Sequence, residues 1–286
     1  MTQNLEKTAT PWKGIADMWN TYFTPPSRIS GDEVKKYREW LKRLKRPEMK
    51  ALVLGVTPEI RELLFALGYK ITCIDINPEM IKAMDSVIKT KDPNEIIINE
   101  NWLGNSIPSH SFDIVVGDCV LENVLWEQRD ELLFEIVRIL KPNKLFITRI
   151  FTVPRKKPYN NIHEVLEKFS EKEPNYRSAL EFIFDLQILF YTERDHKGTF
   201  SKPKEEIEKL RVNGRFSFKS EKLNKLLDLV WNFWCQKYVN KVYYYPYQDE
   251  EEIRVQNFFK IEEKFNQAQD NEYSKYTPMY ILKLKS

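Results

Sequence analysis

Residues 51–84 read ALVLGVTPEIRELLFALGYKITCIDINPEMIKAM, and this stretch decides the fold. An apolar run ends at Gly55, and apolar residues then recur at helical spacing until a second apolar run reaches Asp75. Thr57-Pro58 is typical of a helix start, with the Thr57 side chain as the cap and proline in the first helical position. Asn77-Pro78 repeats that signal. The stretch therefore predicts a βαβα unit with a carboxylate at the tip of its second strand.

Such a unit favours a nucleoside ligand. Its first turn leaves backbone amides beside a helix N-terminus, and Asp75, twenty positions after Gly55, is placed to face ribose hydroxyls. We therefore expect an adenosine cofactor. An NAD-dependent oxidoreductase would use the same unit, but it should show the G-x-G-x-x-G turn, and here Gly55 is the only glycine of that loop.

Strand and helix signals continue to alternate after this unit. Short apolar strands are predicted at 96–98, 112–116 and 144–151, with an amphipathic helix at 126–140. Near the C-terminus, 254–262 and 277–285 alternate as strands that can pair as a hairpin. The predicted fold is a doubly wound α/β domain. It has a mostly parallel seven-stranded sheet with a terminal antiparallel hairpin, a helical insert after the fifth strand and an N-terminal helical arm.

We divide the chain into four segments: an arm and helix (1–48), the cofactor-binding half of a Rossmann-like domain (49–152), a helical insert (153–218), and a C-terminal helix with the hairpin (219–286). Two interpretations of the arm stay open, packing against the sheet or a lid in which Trp19, Tyr22 and Arg28 cover the cofactor. The insert is either a substrate cap over the strand ends or a helical pair that completes the fold. The YYYPY cluster at 243–247 either packs or stacks a planar acceptor.

Composition disfavours some classes of partner. The 286 residues carry 45 basic and 42 acidic side chains, a net charge of +3, which gives no reason to expect nucleic acid or a membrane as partner. No apolar run approaches the roughly 18 residues of a membrane span, and no leader precedes Pro11. Cys73, Cys119 and Cys235 lack ligand-like spacing, so we expect reduced core cysteines in a cytoplasmic protein. The oligomeric state stays open.

Four motifs carry a family resemblance: VLGVTPEI at 53–60, the Asp75 strand tip, NWLGNSIPSHSFDIVVGD at 101–118 and VRILKPNKLFITRIF at 137–151. Together they resemble the successive motifs of the class I S-adenosylmethionine-dependent methyltransferases, over residues 50–151. The resemblance implies S-adenosylmethionine as the cofactor. It also implies methyl transfer to an oxygen or nitrogen atom of a small molecule or peptide.

The resemblance further implies positions around the cofactor. Gly55, Val56 and Thr57 would lie against its methionine part, and Asp75 would hold both ribose hydroxyls. The remaining neighbours would be Ile76, the Asn101 side chain and the Trp102 backbone amide at the adenine, and Gly117 and Asp118 at the sulfonium. Apart from the resemblance, Met80 is a further candidate for the cofactor site, as are Tyr22 and Arg28 if the arm is a lid. One departure from the family is the single glycine of the first loop. A Cβ at each following position narrows that loop, and Pro58 removes one amide.

Candidate catalytic residues are Asp118 and His163, with Glu122 and the tyrosines as further candidates for proton removal. No metal is predicted, because Thr148-Arg149 at the fifth strand end does not supply the ligands that such a site would need. The Asn-Pro-Pro-aromatic motif of enzymes that methylate amide or exocyclic amino groups is absent after the fourth strand. A non-catalytic cofactor-binding module on the same scaffold is the alternative.

Overall fold

The computed structural model describes residues 19–192, 196–236 and 242–285. Its main sheet comprises β1 (Lys50–Leu54), β2 (Lys70–Ile74), β3 (Ile96–Ile98), β4 (Phe112–Asp118), β5 (Leu140–Arg149), β8 (Phe259–Phe265) and β9 (Met279–Leu284). These seven strands have the order β3-β2-β1-β4-β5-β9-β8. β1 to β5 are parallel, whereas β9 pairs antiparallel with both β5 and β8. The predicted doubly wound sheet with an antiparallel end is confirmed.

Helices precede, connect and follow these strands. Those in the described residues are α1 (Gly31–Leu44), α2 (Pro58–Ala66), α3 (Pro78–Val87), α4 (Arg129–Ile139), α5 (Ile162–Phe169), α6 (Tyr176–Leu189), α7 (Ser201–Lys209), α8 (Glu221–Leu229) and α9 (Gln248–Gln256). α8 continues into a π-helical turn, Val230–Cys235. None of these helices is long and apolar enough to cross a bilayer. β6 (Lys197–Thr199) and β7 (Val242–Tyr244) form a separate antiparallel pair.

The central strands of the main sheet are buried on both faces. Ala51 and Val53 of β1 belong to a core shared with α1, α2, α6 and α8, whereas Leu52 and Leu54 belong to a core shared with α4. Burial on both faces explains why the central strands read as continuous apolar runs rather than as alternating ones. The carboxyl ends of the parallel strands meet at one edge, where open α/β sheets bind their ligands.

Two sequence predictions need correction or restriction near the C-terminus. The strand predicted from 254 is wrong at its start, because Arg254 lies in α9 and β8 begins only at Phe259. Acidic residues in the first turn of α9 favour a helix there. The predicted C-terminal helix corresponds to α8 and the π-helical turn, and positions 237–241 of that segment lie outside the described residues. Positions 1–18 of the predicted arm also lie outside them.

A cavity of about 710 Å³ lies at the opposite edge of the sheet from the expected ligand site. Its lining includes Lys50, Lys70 and Phe112, which are the first residues of β1, β2 and β4. Ligands of open α/β sheets bind at the other strand ends, so this cavity is not the cofactor cleft.

Candidate active site

The bend after β1 is built around Gly55. Its φ of +91° is one that glycine adopts readily, and its amide donates a hydrogen bond to the Ile74 carbonyl at 2.9 Å. The side chain of Val56 points into the core, where it is only 3% exposed, so it does not fill the bend. The predicted Thr57 cap is wrong, because that side chain makes no capping hydrogen bond. The start of α2 depends instead on Pro58, whose ring fixes a helical φ and whose missing amide leaves one donor fewer to satisfy.

The carboxylate of Asp75 faces this bend. Its Oδ1 accepts a hydrogen bond from the Asn77 amide at 2.8 Å, and its Oδ2 lies 3.9 Å from the point that a Cβ on Gly55 would occupy. Burial raises the pKa of Asp75 to about 6, partly opposed by the Asn77 amide. Ile76 is half-buried beside it. The predicted Asn77 cap is confirmed, since its Oδ1 accepts from the Met80 amide at 3.2 Å.

Trp102 covers the same bend from the loop after β3. Its Nε1 donates to the Ile74 carbonyl at 2.8 Å, and its Cζ2 lies 3.8 Å from the Cβ point of Gly55. The Asn101 side chain is exposed, and its Oδ1 accepts from the Leu103 amide at 3.1 Å. The indole ring, rather than only the backbone amide of Trp102, therefore lies at the bend.

At the end of β4, Asp118 is held by a buried arginine. Arg149 donates from Nε to Asp118 Oδ1 at 2.7 Å and from Nη2 to Oδ2 at 3.0 Å. Its Nη1 donates to the Pro26 carbonyl at 2.8 Å and lies 3.4 Å from Glu33 Oε2. Arg149 and Glu33 are fully buried. Because the guanidinium engages both carboxylate oxygens, Asp118 serves here as a structural anion between β4, β5 and the arm.

Gly117 contributes its carbonyl to the same strand end. The Tyr37 hydroxyl of α1 donates to that carbonyl at 3.0 Å, and burial raises the pKa of Tyr37 well above its usual range. The contact attaches α1 to the end of β4 next to Asp118.

The arm meets both α2 and the helical insert. Arg28 pairs with Glu59 in the first turn of α2 and donates to the Trp19 carbonyl at 3.1 Å. The Tyr22 ring contacts Tyr176 of α6, in the insert, with ring centroids 3.9 Å apart, and it stacks on Phe233 of the π-helical turn at 4.3 Å. The arm thus bridges the start of α2 and the insert. The carboxylate that Arg28 pairs with in this structure is that of Glu59.

The predicted bases occupy different environments. His163 is exposed at the start of α5, whereas Asp118 is buried against Arg149. Glu122 is 2% exposed, and it accepts a hydrogen bond from the Phe151 amide. Burial raises the pKa of Glu122 to about 8, partly opposed by the Arg129 guanidinium. In the described residues no three His, Cys, Asp or Glu side chains converge to hold a metal ion.

Sequence reasoning missed the role of Arg149 and the position of the Trp102 indole. A signal for the arginine exists: it is the only charged residue in LFITRIF, an apolar strand in the middle of the sheet. A charge in such a strand requires a buried partner of opposite sign. No comparable signal predicts that the Trp102 ring turns towards Gly55, since both lie in loops that meet only in the folded chain.

Comparisons with known proteins agree with this geometry. A family profile described as a methyltransferase domain matches residues 54–148, from the end of β1 to the end of β5. Residues 54–148 of this chain are thus similar to a methyltransferase domain. The matched part contains Gly55, Asp75, Trp102 and Asp118, whereas the arm and the helical insert lie outside it.

The chain spans about a fifth of the length of the curated relatives that it matches. It is 27% identical over 132 residues to the human eEF1A lysine and N-terminal methyltransferase, covering 44% of this chain and 19% of the human protein. The CcbJ methyltransferase from Streptomyces caelestis has a TM-score of 0.56 at 11% identity, with 97% and 99% of the two chains covered. A Rhodobacter sphaeroides protein described as a zinc-dependent alcohol dehydrogenase has a TM-score of 0.59 at 13% identity, with both chains fully covered. At these identities the two structures show the shared fold alone.

Proposed function

We propose that this protein transfers a methyl group from S-adenosylmethionine to an oxygen or nitrogen atom of a small molecule or peptide. The observation that carries the proposal is the half-buried Asp75 carboxylate, whose Oδ2 faces the Gly55 bend. A carboxylate at the tip of β2 beside a glycine turn suits a ribose, because it accepts from two neighbouring hydroxyls.

The residues around the bend fit the methyl donor. Gly55 has no side chain, and the Val56 side chain points into the core, so neither fills the bend. The backbone amides at the start of α2 follow directly after Thr57. We propose that Asp75 binds the ribose hydroxyls. The other proposed neighbours are Ile76, Met80, Asn101 and Trp102 for the adenine, Gly117 and Asp118 for the sulfonium end, and Tyr22 and Arg28 from the arm. When bound, the donor supplies a methyl group on a positively charged sulfur, and the chain supplies alignment.

We propose that the arm and the helical insert form the acceptor side. Tyr22 joins them through Tyr176, and a second aromatic cluster brings Phe151, just beyond β5, against Phe184 of α6 and Tyr245. The human relative is named for lysine and N-terminal amines, so peptide amines are the first acceptors to test.

A non-catalytic cofactor-binding module is a second candidate. The observation in its favour is that Arg149 engages both oxygens of Asp118, the carboxylate at the strand end that would face the acceptor. Calorimetric titration with S-adenosylmethionine, S-adenosylhomocysteine and NAD separates the candidates. Binding of the first two with label transfer to a peptide or small-molecule panel supports the enzyme, binding without transfer supports the module, and preference for NAD overturns both.

Asp75→Ala is the matched variant for that titration. Loss of S-adenosylmethionine affinity by about tenfold or more is expected, because the ribose hydroxyls lose a charged acceptor. Unchanged affinity would contradict the assignment of the cleft. We also propose a reducing cytoplasmic setting, since Cys73, Cys119 and Cys235 are all free thiols.

A further inference from the structure

Glu122 lies between the carboxyl ends of the two central strands. It belongs to a 3₁₀ turn, Leu121–Asn123, that follows β4, and its Oε1 accepts from the amide of Phe151, just beyond β5. This is the edge at which open α/β sheets bind ligands, and the side chain is 2% exposed. A buried carboxyl at that edge is placed for chemistry.

The second oxygen of Glu122 is not satisfied by the protein. Oε2 is buried and has no hydrogen-bond partner among the described residues. Leaving a buried acceptor unpaired is costly, so such an atom at the strand ends points to a ligand donor. The charged and titratable groups that face the carboxyl are Cys119 at the end of β4, Arg129 of α4 and Glu251 of α9.

The nearby arginine does not neutralise Glu122. Arg129 donates from Nη1 to Glu251 Oε2 at 2.6 Å and from Nη2 to the Tyr244 carbonyl, and both of these side chains are buried. Two carboxyls therefore share one guanidinium. With one guanidinium for two carboxyls, the cluster can bind one further cation or one proton. Burial raises the pKa of Glu122 to about 8, close to working pH.

The two other candidates are less suited to proton removal. Asp118 has both oxygens engaged by Arg149, and His163 is exposed on α5. Glu122 combines burial, a free oxygen and a place at the strand ends.

We propose that Glu122 Oε2 takes the proton from an amine acceptor during methyl transfer, an inference that rests on the proposed function. The acceptor nitrogen forms a bond to the methyl carbon, and the carbon–sulfur bond breaks with its electron pair left on sulfur, giving a neutral thioether. The proton of the acceptor nitrogen moves to Oε2. An anionic carboxylate acceptor is disfavoured, because it would meet the excess negative charge of Glu122 and Glu251.

The test does not require the natural acceptor. Sinefungin carries an amine-bearing carbon where the donor carries its methylated sulfur, so its ammonium stands in for an amine acceptor at the reacting position. Calorimetry at pH 7.5 compares sinefungin with S-adenosylhomocysteine on the wild type, Glu122→Gln, Asp118→Asn and the control Glu127→Gln. Glu127 is exposed in the neighbouring turn and loses the same charge.

We expect the wild type and Glu127→Gln to bind sinefungin about tenfold more tightly than S-adenosylhomocysteine, as a charge-assisted hydrogen bond would provide. Glu122→Gln should reduce that preference to about one while retaining affinity for S-adenosylhomocysteine. An unchanged preference in Glu122→Gln, or its loss only in Asp118→Asn, overturns the inference and leaves the proposed function intact. Failure of the wild type to bind either compound overturns the proposed function and the inference with it.

Folding of the variant is checked by circular dichroism and thermal unfolding. Glutamine is isosteric and keeps an oxygen for the Phe151 amide, so Glu122→Gln should fold. If Glu122→Gln does not fold, Glu122→Asp replaces it, because that variant shortens the side chain by one methylene and moves the charge back. We expect Glu122→Asp to weaken the preference for sinefungin. An undiminished preference in that variant also contradicts the inference.

Discussion

The Trp102 Nε1 donates a hydrogen bond of 2.8 Å to the carbonyl of Ile74, the last residue of β2. The same carbonyl accepts the Gly55 amide at 2.9 Å, so the end of β2, the bend after β1 and the loop after β3 meet at one oxygen. The indole consequently lies beside Gly55 and Asp75, where the proposed ribose must enter. Cofactor binding should therefore move the Trp102 ring.

Tryptophan emission tests that movement. We expect titration with S-adenosylmethionine to change the emission of the wild type, because displacement of the indole breaks its hydrogen bond and alters its surroundings. Trp102→Phe should lose most of the change while still binding the cofactor in calorimetry.

Trp126→Phe is the control for this experiment. Trp126 lies in the turn before α4 and stacks on His196, with ring centroids 3.9 Å apart. Its variant should keep the emission change. A full change in Trp102→Phe would show that the ring stays in place.

Asp75 should make cofactor binding depend on pH. Burial raises the pKa of this carboxyl to about 6 in the free protein, and only the ionised form accepts from both ribose hydroxyls. Affinity for S-adenosylmethionine should be constant above pH 7 and fall by up to about tenfold per pH unit below 6. Calorimetry between pH 5 and 8 measures it. Asp75→Asn should bind weakly at every pH, and a similar slope in that variant would assign the titration to another group.

Features whose residues lie close together in the chain could be predicted from the sequence, whereas contacts between distant residues could not. Gly55, Asp75 and the Asn77 cap belong to one short stretch, so spacing alone predicts the bend, the strand tip and the helix start. Arg149 meets Pro26 across 123 positions and Asp118 across 31, and no local pattern encodes such contacts. The sequence therefore predicts which residues lie at the strand ends, but not that the Arg149 guanidinium neutralises the Asp118 carboxylate.

The start of β8 illustrates a different failure. Residues 254–258 alternate in a way that suits a strand, but Arg254 lies in the last turn of a helix whose first turn is acidic. Its Nη1 also donates to Asp130 of α4 at 2.7 Å. Helix electrostatics and this tertiary ion pair override a short local pattern.

The Asp118–Arg149–Glu33 cluster predicts an unequal effect of two substitutions. Arg149→Met leaves two buried carboxylates without their cation and should destabilise the fold by about 3–5 kcal/mol. Asp118→Asn leaves the Arg149–Glu33 pair and should cost about 1–2 kcal/mol. Urea unfolding at pH 7 measures both. Equal losses would mean that Glu33 does not contribute to holding the guanidinium.

The ionisation of Glu122 should lower the unfolding free energy of the protein as pH rises. Its folded pKa of about 8 exceeds the ordinary value of 4.5, so the folded state keeps a proton that the unfolded chain releases between these values. Its favourable contribution is complete below pH 4.5, declines as pH rises and is lost above pH 8. Glu122→Gln should match the wild type at pH 5 and exceed its unfolding free energy by about 4 kcal/mol at pH 9. A constant difference across that range would contradict the raised pKa.

Gly117 leaves no room for a side chain at the end of β4. A Cβ there would lie 2.2 Å from Val120 Cγ2 and 3.4 Å from Leu54 Cβ, and valine has little rotamer freedom with which to withdraw. Gly117→Ala should therefore cost about 1–3 kcal/mol of unfolding free energy, measured by urea denaturation. Val120→Ala alone should also destabilise, because it removes buried methyl groups. In the double variant the clash disappears, so its loss should be smaller than the sum of the two by about 1 kcal/mol or more. If the two losses are additive, the strain in Gly117→Ala arises at the Leu54 contact and not at Val120.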